Sequence, residues 1–390
     1  MKQEERIVAL KKEFISKFKN ESTDVFSSPG RIELLGNHTD HNNGKVLVSS
    51  VDLNILAATS KSDDNKITFY SQGFNPMIVS LDDLTIKESE YGKSIALIRG
   101  VLFKMKELGY NIGGFKVVAD SSIPKGAGVS SSAAFEVLVA KIVSYYYNND
   151  SIEAFELAKI SQFAESVYFN KPCGLLDQSG IAIGGINYID FKDTSKPEIK
   201  SIKLVNDSYQ FIIINTGGDH VKLTHCYVEI KDDMKNISNH YGKNVLREVD
   251  EDTFFNDKEI LINKYGERAF LRGKHYFEEN NRVSLAYEGL VNKDIKKLLE
   301  MMDASGHSSY YQLKNCYVNT ELEELPKALK VAKQIDPSCY SRVHGGGFAG
   351  TMLMIIDKNK IDEILPKLNE TYGKDNVMLV NLVENGTIKL

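Results

Sequence analysis

Two stretches of the chain hold residue types suited to chemistry on a phosphorylated or hydroxylated small molecule. The first is Pro124-Lys125-Gly126-Ala127-Gly128-Val129-Ser130-Ser131-Ser132-Ala133-Ala134, between a β-type run and a long helical pattern. Glycines let the backbone approach a ligand, serines supply hydroxyl donors, and the free N–H groups at a helix N-terminus favour an anion. Gly126, Gly128, Ser130, Ser131, Ser132 and Ala133 are therefore expected to hold phosphate. The bland alternative is a glycine turn with serine capping, and three serines directly before an alanine-rich helix tell against it. The second stretch runs Ser28-Pro29-Gly30-Arg31-Ile32-Glu33-Leu34-Leu35-Gly36-Asn37-His38-Thr39-Asp40-His41-Asn42-Asn43-Gly44. Arg, Asn, His and Asp crowded between glycine turns suit multiple hydrogen bonds to a polyol. A rival reading takes His38, Asp40 and His41 as metal ligands, but no second cluster of matching type completes the set.

Phosphoryl transfer from ATP also needs magnesium on the phosphate oxygens, a group that orients or deprotonates the acceptor, and positive charge for the transition state. Glu165 lies on a helical pattern among apolar neighbours, where an unpaired carboxylate is costly unless it meets a metal or a cation. Asp177 follows in Pro172-Cys173-Gly174-Leu175-Leu176-Asp177-Gln178. Either acid alone could equally be a solvated surface group. Two better-known nucleotide motifs fail. Asn43-Gly44-Lys45 is followed by Val46 and so lacks the hydroxyl of a Walker A loop. Gly345-x-Gly347-x-x-Gly350 leads into Thr351 to Ile356, a strand pattern where a dinucleotide fold needs a helix.

The elements that must position these residues read as α+β in two lobes, 1–195 and 196–390, split in the polar segment Lys192 to Lys200. β-type runs are expected at Lys45 to Leu53, Lys66 to Tyr70, Gly114 to Ala119 and Ile181 to Phe191, with a long helix from Ser131 to about Tyr147. A second helix is expected after Ser151 as its cap. Beyond the split come a strand at Phe211 to Ile214 and helical patterns through Asn292, at Lys293 to Met302 and at Leu322 to Gln334. A strand (Thr351 to Ile356), a helix (Lys360 to Leu368) and a strand (Asn376 to Val383) close the chain. The first twenty residues pattern as an amphipathic surface helix without the apolar core of a signal peptide.

Composition narrows the partners. With 48 Lys plus Arg against 53 Asp plus Glu, the net charge is −5 and no basic block stands out, so nucleic acid is not an expected partner. No run of apolar residues is long enough to span a bilayer. Cys173, Cys226, Cys316 and Cys339 lie far apart, which fits a reducing cytoplasm rather than a disulfide framework.

Together the segments resemble the galactokinase branch of the GHMP kinases, along nearly the whole chain. Gly30 to Asp40 is similar to the family's sugar signature G-R-x-N-L-[IL]-G-E-H-x-D-Y, residues 124 to 134 to its phosphate loop, and Arg342-Val343-His344-Gly345-Gly346-Gly347-Phe348-Ala349-Gly350 to its late glycine motif. The resemblance implies a two-lobed fold with ATP and a small sugar between the lobes. It also implies ATP-dependent phosphorylation of the C1 hydroxyl of galactose or a close derivative, with Mg2+ held by Ser132 and Glu165. Asp177 then matches the residue that orients or deprotonates that hydroxyl, and Arg31 matches the one assisting it. Asn37, His38, Asp40, Gly174 and Tyr227 match sugar contacts. The expected state is a monomer, with a weak dimer as the alternative.

Three residues depart from the signature. Asn37 stands where the family has glutamate, Glu33 where it has asparagine, and His41 where it has tyrosine. The family glutamate accepts a hydrogen bond from the sugar's C6 hydroxyl, so Asn37 would open the site to an acidic C6 group and makes galacturonate the alternative substrate. Plant galacturonate kinases also lack that glutamate and carry the histidine. A second alternative is a sugar sensor without catalysis.

Overall fold

The structure is a computed structural model that describes residues 3–19, 24–124, 126–203, 208–217, 223–320, 323–348 and 350–390. Lys125, Leu322 and Ala349 lie outside the described residues.

Two sheets organise the chain. The larger holds β1 (Asp24–Leu35), β2 (Lys45–Lys61), β3 (Lys66–Ser71), β4 (Met77–Ser80), β5 (Phe115–Ser121), β6 (Ile186–Asp190) and β7 (Glu198–Ile202), together with β12 (Ile388–Lys389). Its path is β12-β1-β2-β5-β3-β4, with β6 pairing the other half of β2 and β7 pairing β6; among the described residues only β3 and β5 run parallel. The smaller sheet is antiparallel in the order β11-β8-β10-β9, from β8 (Tyr209–Gly217), β9 (Tyr340–His344), β10 (Gly350–Asp357) and β11 (Val377–Val380). Apolar side chains cover both faces of β10, which is why its sequence is a continuous run rather than an alternation.

Helices pack on these sheets. The first, α1 (Gln3–Phe18), lays Leu10 and Phe14 on Leu56, Ala58 and Val118 of β2 and β5, as its amphipathic pattern predicts. Next come α2 (Ser94–Glu107), α3 (Ser131–Tyr147), α4 (Ala154–Phe163) and α5 (Leu176–Ile183). The apolar surround of α3 follows from its composition: ten of its residues are buried, so it is a central core helix. The remaining helices are α6 (Thr224–His240), α7 (Glu251–Asn256), α8 (Lys258–Tyr265) and α9 (Glu267–Val291), which share an apolar cluster, and α10 (Ile295–Ser308), α11 (Glu324–Ile335) and α12 (Ile361–Tyr372), which pack on the smaller sheet.

Several expectations are corrected. A cut at 195 would separate β6 from β7, which pair along five residues. The C-terminal β12 also returns to β1, and the main core mixes Ile32 and Leu47 with Phe211, Ile213 and Leu353. The run Ile181 to Phe191 is two elements, the end of α5 and then β6, because Gly184 at φ +83 ends the helix. Ser151 does not cap α4; its hydroxyl donates to Asn148 O at 2.6 Å and the helix begins three residues later. Among the described residues no helix is long and apolar enough to cross a membrane.

Candidate active site

The three glycine-containing motifs meet at one place. Arg31, near the middle of β1, donates its backbone N–H to Val129 O at 3.1 Å and its Nη1 to Gly128 O at 2.6 Å, which fastens the phosphate loop to the sugar motif. Gly128 sits at φ +70, and a Cβ there would overlap Thr351 Oγ1 at the start of β10, so the late glycine motif closes on the loop from the other side. Ser130 also adopts the left-handed region, φ 59, immediately before α3. Such backbone strain in a non-glycine residue collects where a site needs a particular geometry. The N-terminus of α3 has no side-chain cap, leaving the N–H groups near Ser131, Ser132 and Ala133 as anion donors.

Asp177 enters from the first turn of α5. Its Oδ1 accepts from Arg31 Nε at 2.7 Å, and its Oδ2 takes a short hydrogen bond from Ser130. Burial pushes this carboxyl up, but the Arg31 charge and the Arg31 and Ser130 hydrogen bonds outweigh it and hold the group below its ordinary range. Asp177 is thus ionised at neutral pH, and its side chain keeps 31 % of its surface exposed in the cleft while Arg31 keeps 6 %.

Glu165 lies on the π-helical turn Ala164–Tyr168 that continues α4. π-turns concentrate at functional sites because they re-aim a side chain. Its Oε1 accepts from Ser132 Oγ at 2.8 Å and from Lys171 Nζ at 2.9 Å, and its Oε2 accepts from Gln178 Nε2 at 2.7 Å. The same Nε2 donates to Glu136 Oε1 at 2.8 Å. Burial and the Glu165 charge push the Glu136 carboxyl well above its ordinary range. A hydroxyl and a buried carboxylate are the hard oxygen donors that magnesium takes, so Ser132 and Glu165 fit that ion.

The polar loop after β1 forms the cleft's other wall. Asp40 Oδ1 accepts from His41 N at 2.9 Å, and a Cβ on Gly174 would overlap Asp40 Oδ2, so only glycine fits there. Burial, then the nearby Asp177 charge, raises the Asp40 carboxyl. His38 Nε2 donates to Gly346 O at 3.0 Å, and its ring stacks with that of Tyr227 at 6.4 Å; burial lowers it to about 4, so it is neutral. Tyr227 donates from its hydroxyl to Gly347 O at 3.0 Å. His41 Nδ1 accepts from Asn42 Nδ2 at 2.9 Å. Among the described residues no group of three or more His, Cys, Asp and Glu is placed to hold a metal ion, so the metal reading of His38, Asp40 and His41 finds no support.

Asn37 departs from expectation. It is 1 % exposed, and protein groups take every hydrogen-bonding position of its amide. Its Nδ2 donates to Glu33 Oε1 at 3.0 Å and to Gly345 O at 2.8 Å, while its Oδ1 accepts from Asn315 Nδ2 at 2.8 Å and Ser309 Oγ at 3.4 Å. Glu33 in turn pairs with Arg342 at 2.7 Å. Burial raises the Glu33 carboxyl and Arg342 pulls it back. Asn37 is thus part of a buried junction rather than a group offered to a sugar.

Sequence reasoning missed this junction. His275 and Glu279 come from α9, where His275 Nε2 donates to Asn37 O at 2.9 Å and Glu279 Oε1 accepts from Gly36 N at 2.9 Å. Gln178 and Glu136 were missed too, although a lone acid inside the apolar run Ala133 to Ala140 is a signal for the latter.

A two-lobed fold with a strand–glycine loop–helix phosphate site, an Arg–Asp pair and a Ser–Glu pair defines a small-molecule kinase of the GHMP type. The GHMP kinase N-terminal and C-terminal domains match residues 96–185 and 286–374, and the galactokinase galactose-binding signature matches 12–61. A galactokinase of Clostridium acetobutylicum is 30% identical over 371 residues, 93% of this chain and 92% of that one. Another, of Clostridium tetani, is 29% identical over 94% and 92%. In fold the chain is similar to Lactococcus lactis galactokinase complexed with galactose, at TM-score 0.85 and 24% identity over 99% and 100% of the two chains. Methanococcus jannaschii mevalonate kinase follows at TM-score 0.63 and 16% identity, over 92% and 98%. The chain belongs to the galactokinase family: it is an ATP-dependent phosphotransferase acting on a sugar hydroxyl.

Proposed function

We propose that the chain transfers the γ-phosphoryl group of ATP to the C1 hydroxyl of galactose, and that the Arg31–Asp177 pair at the mouth of the phosphate loop performs the transfer. The observation that carries this reading is the 2.7 Å contact that keeps Asp177 ionised where Gly128 and Ser130 bound the anion site. Asp177 orients the C1 hydroxyl and takes its proton as the oxygen bonds to phosphorus and the bond to the ADP oxygen breaks. A carboxylate held below its ordinary range is a weak base, so the proton moves late, which a loose transition state tolerates. Arg31 supplies positive charge to the phosphoryl oxygens. Ser132 and Glu165 are the residues that would hold Mg2+, which when bound neutralises phosphate charge. His38, Asp40, Gly174 and Tyr227 line the sugar side.

Galactose is favoured over galacturonate. The carboxylate absent at position 37 is present one hydrogen bond away at Glu33, and Arg342, the cation beside it, is buried and taken up by Glu33 and Leu34 O. The junction therefore offers no cation to a C6 carboxylate. An assay of ADP release with D-galactose, D-galacturonate and N-acetylgalactosamine is expected to give galactose the highest kcat/KM by at least about tenfold. A preference for galacturonate would overturn the substrate assignment.

A further inference from the structure

The buried amide of Gln178 does something the family reading leaves unassigned. It sits on α5 next to Asp177, yet its side chain points away from the cleft into the core, where it is fully buried. Its Nε2 gives one hydrogen to Glu136 Oε1 at 2.8 Å and the other to Glu165 Oε2 at 2.7 Å, and these two acceptors assign the orientation of the amide. Glu136 lies four residues after Ser132 on α3, hence on the same helix face one turn deeper. Glu165 itself stands on a π-turn, whose backbone does not dictate where the carboxylate points. Its outer oxygen accepts from Ser132 at 2.8 Å and from Lys171 at 2.9 Å, and Lys171, 61 % exposed, reaches it from the solvent side. The Oε2 side has the Gln178 amide as its donor, and the amide is steadied from behind by Glu136.

We propose that Gln178 is a positioning residue that aims the Glu165 carboxylate at the metal, and that Glu136 is the acceptor that keeps Gln178 in place. This rests on the reading of Glu165 as a magnesium ligand. Outer-shell partners of this kind are worth about 10- to 100-fold in metal affinity. The relay also fixes, through α5, the spacing between the metal side and Asp177, so one short helix serves both halves of the reaction.

The test measures metal affinity directly. Free Mn2+ is followed by electron paramagnetic resonance as it is titrated into the protein with a non-hydrolysable ATP analogue, for Glu165→Ala, Gln178→Met, Glu136→Met and Glu136→Gln. Expected is loss of binding in Glu165→Ala, weakening of about tenfold or more in Gln178→Met and Glu136→Met, and affinity within about twofold of the unaltered protein in Glu136→Gln, which keeps the acceptor oxygen. Circular dichroism selects the folded variants, and Gln178→Met and Glu136→Met each suffice if the other does not fold. Unchanged Mn2+ affinity in a folded Met variant, with Glu165→Ala defective, overturns the relay and leaves the ligand assignment standing. Equal weakening in Glu136→Gln and Glu136→Met overturns the role of Glu136 as acceptor. Unchanged affinity in Glu165→Ala overturns the ligand assignment itself.

Discussion

Exchanging Glu33 and Asn37 for one another should be less damaging than the sum of the two single changes. The family signature has asparagine and glutamate at these positions in the opposite order, and here the two side chains share a 3.0 Å hydrogen bond. Glu33→Asn leaves the guanidinium of Arg342, 1 % exposed, without the carboxylate 2.7 Å away. Breaking one partner of a buried ion pair costs about 3–5 kcal/mol. Asn37→Glu sets a second carboxylate against Glu33 and turns an acceptor toward Gly345 O where a donor now lies at 2.8 Å, at a cost of about 3 kcal/mol or more. In the double variant an amide again faces a carboxylate, and the Asn315 and Ser309 donors can serve the carboxylate placed at 37. The exchange removes the repulsion between two carboxylates but leaves Arg342 without its partner at 33, so its cost should fall below the sum of the singles by a coupling of about 1–3 kcal/mol, against about 0.5 kcal/mol for independent sites. Urea unfolding followed by circular dichroism on the four proteins measures it, with galactose kinetics on the folded ones. A double variant as unstable as the sum of the singles would show that the two departures are unrelated.

Asp177→Asn should lower kcat by about 10²–10⁴ with a smaller change in KM for galactose, since positioned proton acceptors contribute on that scale; full activity in a steady-state assay would remove Asp177 from the reaction. Gly128→Ala forces a side chain into the left-handed region, about 1–2 kcal/mol, and into Thr351, so KM for ATP should rise, and Thr351→Ala in the same chain should recover part of the loss. Acid should weaken the junction between the lobes in two stages. Burial lowers His275 to about 4 from 6.5, so through that window the unfolded chain binds a proton the folded chain excludes, and stability falls by about 3 kcal/mol as pH drops. Burial would raise Glu279, but Arg282 and then His275 hold it at about 2. Its contribution is full above 4.5 and is lost as pH falls toward 2. Urea midpoints should therefore drop between pH 7 and 4, and His275→Gln should flatten the upper part of that slope; an unchanged slope would contradict the assignment.

Much of the candidate site is legible in the chain because its chemistry is local. A glycine-serine loop before an apolar helix needs only neighbouring residues to become an anion site, and residues 126–133 lie where that reasoning puts them. The helix Ser131–Tyr147 and the strands around 66–71 and 350–357 carry their own period or continuous apolar run, whereas the strand expected at 45–53 runs on to Lys61. Ile181 to Phe191 does not, because a short apolar run suits strand and buried helix equally and Gly184 decides between them through its backbone angle.

Residue types thus placed a glycine-serine loop at 126–133 before a helix and put in the chain an arginine, an aspartate and a glutamate fit for phosphoryl transfer. Only the tertiary structure decided where those groups face. Arg31 reaches Asp177 across 146 positions because β1 and α5 pack against the same loop. Asn37 and His38 are adjacent, yet the buried turn sends one amide into the junction and leaves the other ring beside Tyr227. Gln178 and Asp177 part in the same way, one to the core and one to the cleft. Sequence order sets what a side chain can donate or accept, but its direction comes from the packing of distant elements, whose desolvation makes each unpaired group costly.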